Sequence, residues 1–328
     1  MWGGSRSRHR TGAPAAGTGR SDAAVRGRTI GQHDPLRLGV HRAIHADLGL
    51  PAGGELPTLT PYVARDHDTR LRDLLRTARG NQLVLLVGGS STGKTRACYQ
   101  AVLDVAPGSP VVVPASPEHL LELLAGGVGS GTVLWLDEAQ RYFEPPHGQR
   151  VATALRQLLT ARRVAGGRRV LVVGSMWLAP YWLELTRAPE EDDRDGQPAV
   201  RDLLTASCTR VDVAEDFQTL TPVQRETLER LAGKDPRLRA AVHTGADARV
   251  TQVLAGGPLL LHRHRDLEST RPAAHAVLNA AMDAYRIGYR SPLPEALLRQ
   301  AATGYLATPI PAGDLPDALA HAARAEHG

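Results

Sequence analysis

The chain has 328 residues, 42% of them apolar, with a formal net charge of +5 and a pI near 9.5. Length and apolar content suffice for one large or two ordinary hydrophobic cores and exclude a peptide-sized or wholly disordered chain. Residues 1–42 carry eight arginines against Asp22 and Asp34, so that stretch alone is +6 and the remainder is about −1, which excludes a general phosphate-coating surface on the folded part. Cys98 and Cys208 are the two cysteines and stand outside any CxxC or Cys/His cluster. A disulfide framework and a zinc site are thereby excluded, and a reducing cytoplasmic compartment is expected. No run of 18 apolar residues exists and the N-terminus lacks an apolar core, so neither a membrane span nor a secretory signal is expected.

Along the chain, residues 1–45 are dense in Gly, Arg and Ala without hydrophobic periodicity, which predicts a disordered tail. A Pro/Gly-rich linker over 46–61 follows. From residue 62 the pattern alternates. Helices are predicted at 68–78, 94–105, 117–124, 149–164 and 199–206. Strands are predicted at 82–87 (QLVLLV), 110–114 (PVVVP), 132–136 (TVLWL), 169–173 (RVLVV) and 209–213. Strands separated by helix-length segments imply parallel pairing with right-handed crossovers, hence a three-layer α/β domain over 62–214. Beyond 215 only helices are predicted, near 221–231, 236–243, 246–254, 258–266, 272–286, 293–304 and 315–325, giving an all-α domain over 215–328. Its last helix meets His327-Gly328 without a clear cap, as in a piece of something longer.

Gly88-Gly89-Ser90-Ser91-Thr92-Gly93-Lys94-Thr95 matches GxxxxGK[ST] at every position, between a predicted strand and a predicted helix. Glycines let successive N–H groups curl toward phosphates, the helix N-terminus adds its dipole, and Lys94 supplies a compact positive charge. Lysine occurs only at 94 and 234 in a chain that otherwise uses arginine, so a lysine stands where an ammonium is wanted. Thr95 offers a hydroxyl to Mg²⁺. The apolar strand VLWL ends in Asp137-Glu138, 43 positions after Lys94, where a parallel sheet brings a carboxylate beside the loop. Asp137 is assigned to the metal, Glu138 to the attacking water, and Lys94 to the transferred phosphoryl group. No Asn/Thr-Lys-x-Asp guanine motif exists around Lys234, which makes ATP the expected nucleotide.

With the loop on strand 1, Asp-Glu on strand 3 and a polar group after strand 4, the chain resembles P-loop NTPases of the additional-strand, catalytic-glutamate division. The long helical part makes it similar to AAA+ or STAND ATPases. Tyr62-Val63-Ala64-Arg65-Asp66 looks like the hydrophobic-Gly-Arg-Glu segment of those families, with Ala64 in place of the glycine, and implies Arg65 near the adenine. Gly256-Gly257-Pro258 resembles their Gly-x-Pro motif, implying an approach of Pro258 to the nucleotide, and Ser175 is placed like a γ-phosphate sensor. Arg201 and Arg210 lie where an arginine finger projects in AAA+ proteins, but an exposed helix face is the commoner explanation for them. Trp177 and Trp182 are read as core, Cys98 as core-facing, and 190–195 as a solvated acidic loop. The composition, rich in Ala, Arg, Gly and Pro, is like that of a GC-rich actinobacterial genome.

The resemblance implies a slow Mg²⁺-dependent ATPase acting as a molecular switch with nucleotide-dependent self-association and an unknown protein partner. Two alternatives stay open: an ATPase acting on nucleic acid, similar to origin-recognition or helicase-loader proteins and supported by the basic tail, and a non-hydrolysing, nucleotide-gated protein-binding scaffold.

Overall fold

A computed structural model of the chain describes residues 27–43, 56–161, 167–188, 197–217, 220–244, 249–289, 292–306 and 314–322. The acidic stretch 190–195 lies outside them. At the centre is a five-stranded, wholly parallel sheet of order β2-β3-β4-β1-β5. Its strands are β1 (Gln82–Gly88), β2 (Val111–Val112), β3 (Val133–Leu136), β4 (Leu171–Trp177) and β5 (Cys208–Asp212). The fold is therefore the three-layer α/β arrangement expected, with the helices following it. β4 comes after both motif-bearing strands in sequence yet lies between them in space.

Side chains alternate across each strand, so one continuous apolar run feeds two cores. Val84 and Leu86 of β1, with Val133, Trp135 and Val173, meet α1 (Asp66–Thr77) and α2 (Lys94–Val105) on one face. Leu83, Leu85 and Val87, with Leu134, Leu136 and Val172, meet α3 (Pro117–Gly126), α4 (Gln140–Phe143), α5 (Gly148–Thr160) and α7 (Pro198–Asp202) on the other. Between β4 and α7 lies the short α6 (Leu183–Thr186). Cys98 is fully buried in the first core and Trp182 is buried in the second, as read from the sequence.

Three sequence expectations are corrected. Residues 27–43, assigned to a disordered tail, form a strap across the first core. Two 3-10 turns, Ile30–Gln32 and Pro35–Leu38, seat Ile30, Leu38 and Val40 in that core. The strap is also tied by backbone hydrogen bonding, since Trp135 Nε1 donates to Leu38 O at 2.9 Å. Arg28 O accepts from Val111 N at 2.8 Å, so the strap covers the exposed edge of β2. The strand predicted at 110–114 contracts to Val111–Val112 because the flanking prolines have no N–H for a ladder. The strand predicted at 169–173 instead runs on to Trp177, in register with β1 as far as Gly88↔Trp177. Gly174 is thus mid-strand: a Cβ there would lie 2.2 Å from Leu136 O on the neighbouring strand.

The helical half holds two separate apolar clusters. One joins α8 (Pro222–Ala232), α9 (Pro236–Thr244) and α10 (Val250–Leu254) to Phe217 and to Val63, which precedes α1. The other, built largely of alanines, joins α12 (Pro272–Arg286), α13 (Glu295–Ala302) and α14 (Asp314–Ala322), with α11 (Gly257–Thr270) between the two groups. The buried Asp235–Arg237 ion pair, 2.7 Å, sends a second Arg237 nitrogen to Pro57 O at 2.8 Å. Part of the segment expected as a free linker, 46–61, is thereby fastened to the helices. No helix among the described residues is long and apolar enough to cross a membrane.

Because Leu38 is 1% exposed, Leu38→Ala is expected to cost about 2–5 kcal/mol. A urea unfolding curve unchanged from the parent protein would restore the tail reading.

Candidate functional site

The C-terminal ends of the parallel strands share one edge of the sheet, and the Gly88–Thr95 loop, Asp137, Glu138 and Ser175 all emerge there. Ser90–Thr95, Asp137, Glu138 and Ser175 line a cleft of about 250 Å³ whose other walls come from the strap, from residues 59–65 and from α9 and α10. The loop curls because Gly93 takes a left-handed conformation, φ 88°, as N-cap of α2. Gly88 passes so close to β5 that a Cβ would lie 2.7 Å from Val213 O. Thr92 Oγ1 donates to Gly89 O at 3.1 Å, and Lys94 Nζ folds back to donate to the same carbonyl. Burial pulls the Lys94 ammonium down to about 8, with the nearby Asp137 carboxylate resisting.

The Asp137 carboxylate gathers the site. Its Oδ1 accepts from Thr95 Oγ1 and from Ser175 Oγ, each at 2.7 Å. Ser175 Oγ in turn accepts from Glu138 N at 3.0 Å, and Ser175 O accepts from Ala139 N at 2.7 Å. Ser175 therefore lies inside β4 rather than beyond it, and its contacts go to Asp137 and Glu138. Among the described residues two non-glycines have positive φ, Ser91 at 56° and Glu138 at 49°, and both line this cleft. Such backbone costs about 1–3 kcal/mol and persists where surrounding bonds enforce it.

Arg65 is 7% exposed and lines the cleft. Its guanidinium donates to Thr92 O at 2.5 Å and to Ala214 O at 3.1 Å, and it lies 5.0 Å over the Phe217 ring. Burial lowers its pKa from the ordinary arginine value. It thus clamps the loop to the chain leading into the helices. Tyr62 donates to Asp68 at 2.5 Å, and Asp68 accepts from Arg65 N at 2.7 Å, which fixes the start of α1. Pro258 stands in the first turn of α11, and its side chain lies outside the described residues. From the helical half the described wall is instead Leu238, Val250, Thr251, Leu254 and Ala255. Arg210 is held by Asp212 and by the Trp182 ring at 5.0 Å.

Three groups of cleft residues escaped sequence reading. Trp177, assigned to the core, is half-buried and faces the cleft. Arg96 lies 5.4 Å from the Tyr62 ring and 5.5 Å from the Tyr99 ring, and burial lowers its pKa; its position directly after the loop motif was the available signal. Gly39, His41 and Arg42 come from the strap, where no local pattern announced them. Among the described residues no group of three or more His, Cys, Asp or Glu converges as a metal cage. Thr95 and Asp137 provide two converging oxygens instead.

No family model and no curated protein matches the chain. Among solved structures it is similar to AMPPCP-bound DnaA from Aquifex aeolicus, at 12% identity over 71% of this chain and 73% of that one, with a TM-score of 0.35. It is similar to the RuvB Holliday junction branch migration motor of Thermotoga maritima, at 14% identity over 81% and 91%, TM-score 0.35. It is also similar to the ORC2 protein of Aeropyrum pernix in its ADPNP–ADP complexes, at 16% identity over 79% and 73%, TM-score 0.36. At TM-scores this low the likenesses bear on no residue or role in this chain.

Ser175 is 2% exposed and its hydroxyl joins Asp137 to a strained Glu138. Ser175→Ala is expected to cost about 1–3 kcal/mol by leaving Glu138 N unpaired. Chemical unfolding measures it, and a loss below a few tenths would mean the hydroxyl is dispensable to the turn.

Proposed function

We propose that the cleft binds Mg·ATP and hydrolyses it slowly, and that the bound nucleotide draws the α/β and helical parts together as a molecular switch of the AAA+/STAND kind. The observation that carries this reading is one cleft walled by Ser90–Thr95, Asp137 and Glu138 on one side and by α9 and α10 on the other. A ligand touching both parts favours the arrangement in which they close on it. Nucleotide-dependent self-association belongs to the same reading, with the partner unspecified. With both cysteines free thiols, the cytoplasm is the proposed compartment.

The donor set fits a magnesium ion better than a metal held by protein alone. Mg²⁺ keeps several waters and takes one or two protein oxygens plus phosphates, which is what Thr95 and Asp137 offer. When bound, such an ion would supply charge neutralisation to the phosphates. The protein's own residues do the rest. Lys94 is a buried ammonium whose hydrogen bond goes to a backbone carbonyl, so a polyphosphate gives it the counter-charge that burial removed. Loop N–H groups and the N-terminus of α2 orient the phosphates. Glu138, held by the Ser175 and Ala139 contacts, presents a carboxylate to a water molecule as base or orienting group. The apolar wall from Val63, Leu238 and Val250 suits a flat base.

Mg²⁺-dependent turnover should be ATP-selective over GTP, and Glu138→Gln should remove at least about 99% of it while sparing ATP binding, consistent with the size of general-base effects. Phosphate release assays measure both, and equal turnover by the variant would sink the Glu138 assignment.

A pH dependence follows from Lys94. Its free-state pKa near 8 rises when a polyphosphate binds, so binding takes up a proton above pH 8 and affinity falls with rising pH there. The uptake should be a measurable fraction of a proton that grows with pH, read by calorimetry in buffers of different ionisation enthalpy. Zero uptake would mean Lys94 is already fully charged in the free protein.

A further inference from the structure

The strap is anchored by core residues on both sides of the cleft-facing segment, with Leu38 and Val40 before it and Ala43 after it all buried. Between them His41 and Arg42 are exposed on the wall of the cleft that holds the loop and both acidic residues. The strap's entry point is fixed closely. Gly39 has φ 82°, and a Cβ there would fall 1.9 Å from Asp137 Oδ2. The strap backbone therefore rests directly on the Asp137 oxygen left over from the Thr95 and Ser175 hydroxyls, at the end of the cleft where Glu138 stands. Three residues span at most about 11 Å, so the Arg42 backbone lies within that distance of Gly39, and its side chain lines the same cleft as Asp137 and Glu138.

Among the described residues no hydrogen bond or ion pair engages the Arg42 guanidinium, although Asp137 and Glu138 line the same cleft. Arg65 and Arg210, by contrast, are committed to carbonyls, a carboxylate and aromatic rings. We propose that Arg42 is the terminal-phosphate contact of the nucleotide site, supplied in cis by the strap, so that the chain distinguishes a nucleoside triphosphate from a diphosphate without a neighbouring subunit's arginine. This rests on the Mg·ATP reading above. A guanidinium matches the planar oxygens of a phosphate in a two-pronged contact, and its tether spares the entropy of recruiting a second chain. The strap's burial then has a functional meaning: it holds a cation opposite the loop.

The test is equilibrium binding of fluorescent ATP and ADP, with Mg²⁺, to the parent protein, Arg42→Ala, Arg42→Lys and Lys94→Ala, with thermal unfolding as a fold check. Arg42→Ala should weaken ATP by about 10- to 100-fold and leave ADP within about twofold, and Arg42→Lys should recover part of the loss. Lys94→Ala should weaken both nucleotides. If Arg42→Ala shifts ATP and ADP equally, or neither, while Lys94→Ala loses both, the Arg42 assignment falls and the nucleotide site stands. If the parent protein binds neither nucleotide, the site reading falls and takes this assignment with it.

Discussion

Four stretches of chain that are distant in sequence meet at the Asp137 carboxylate. Thr95 opens α2, Ser175 lies within β4, Asp137 itself ends β3, and Gly39 belongs to the strap. A carboxylate taken from water needs partners for its lone pairs, and here two hydroxyls satisfy one oxygen. The rest of the cleft depends on this meeting. It sets the spacing of the loop from β3, it positions the turn that strains Glu138, and it decides how near the strap can run. The requirement for glycine at 39 and at 174 is the same constraint seen from two sides. At 39 a side chain would enter the carboxylate, and at 174 it would enter the backbone carbonyl of Leu136, whose successor is Asp137.

A second tie connects this end of the sheet to the helices. The Arg65 guanidinium binds carbonyls from the loop and from the chain leaving β5, and its face lies over Phe217, a member of the α8–α10 apolar cluster. One buried cation thus ties the Gly88–Thr95 loop to the start of the helical part. The same guanidinium therefore contacts both a loop carbonyl and the Phe217 ring. Asp235 and Arg237 add a separate anchor that holds the helices against residue 57. The first helical cluster moves, if at all, about these fixed points.

How much of this was legible depended on the range of the interactions. The bounds of α2 and the glycine turn before it could be read to the residue, because glycine conformation and helix initiation act within a few positions. The central strands were legible as apolar runs, and their errors are at the ends. Prolines trimmed β2, while β4 was underestimated because Gly174 and Ser175 resemble a turn until the ladder with β1 is known. The strap was illegible for a different reason. Its buried residues, Ile30, Leu38 and Val40, follow neither a helical nor a strand period, and its hydrogen bonds are with Trp135 and Val111, some 80 to 100 positions away. The cluster of arginines around it dominated the compositional signal and suggested solvent, yet Ile30 is wholly buried within it.

Arginine in this chain shows why residue type alone does not give a role. Arg65 matched a family segment and faces the cleft, but its guanidinium is used to hold two carbonyls and a ring. Arg210 lay where a finger was conceivable and is paired to Asp212 within its own strand. Arg96 is balanced by two aromatic faces, which stabilise a half-buried cation without neutralising it. In each case the identity of the partner, not the position in the sequence, assigns the charge to structure. The same logic separates Lys94 from the arginines. A buried ammonium lowered to about 8 by desolvation keeps its charge at neutral pH at a cost that a polyphosphate would offset. The cleft combines a desolvated cation with two acidic side chains beside it, so a ligand carrying negative charge together with a divalent cation, as proposed above, would complement both at once.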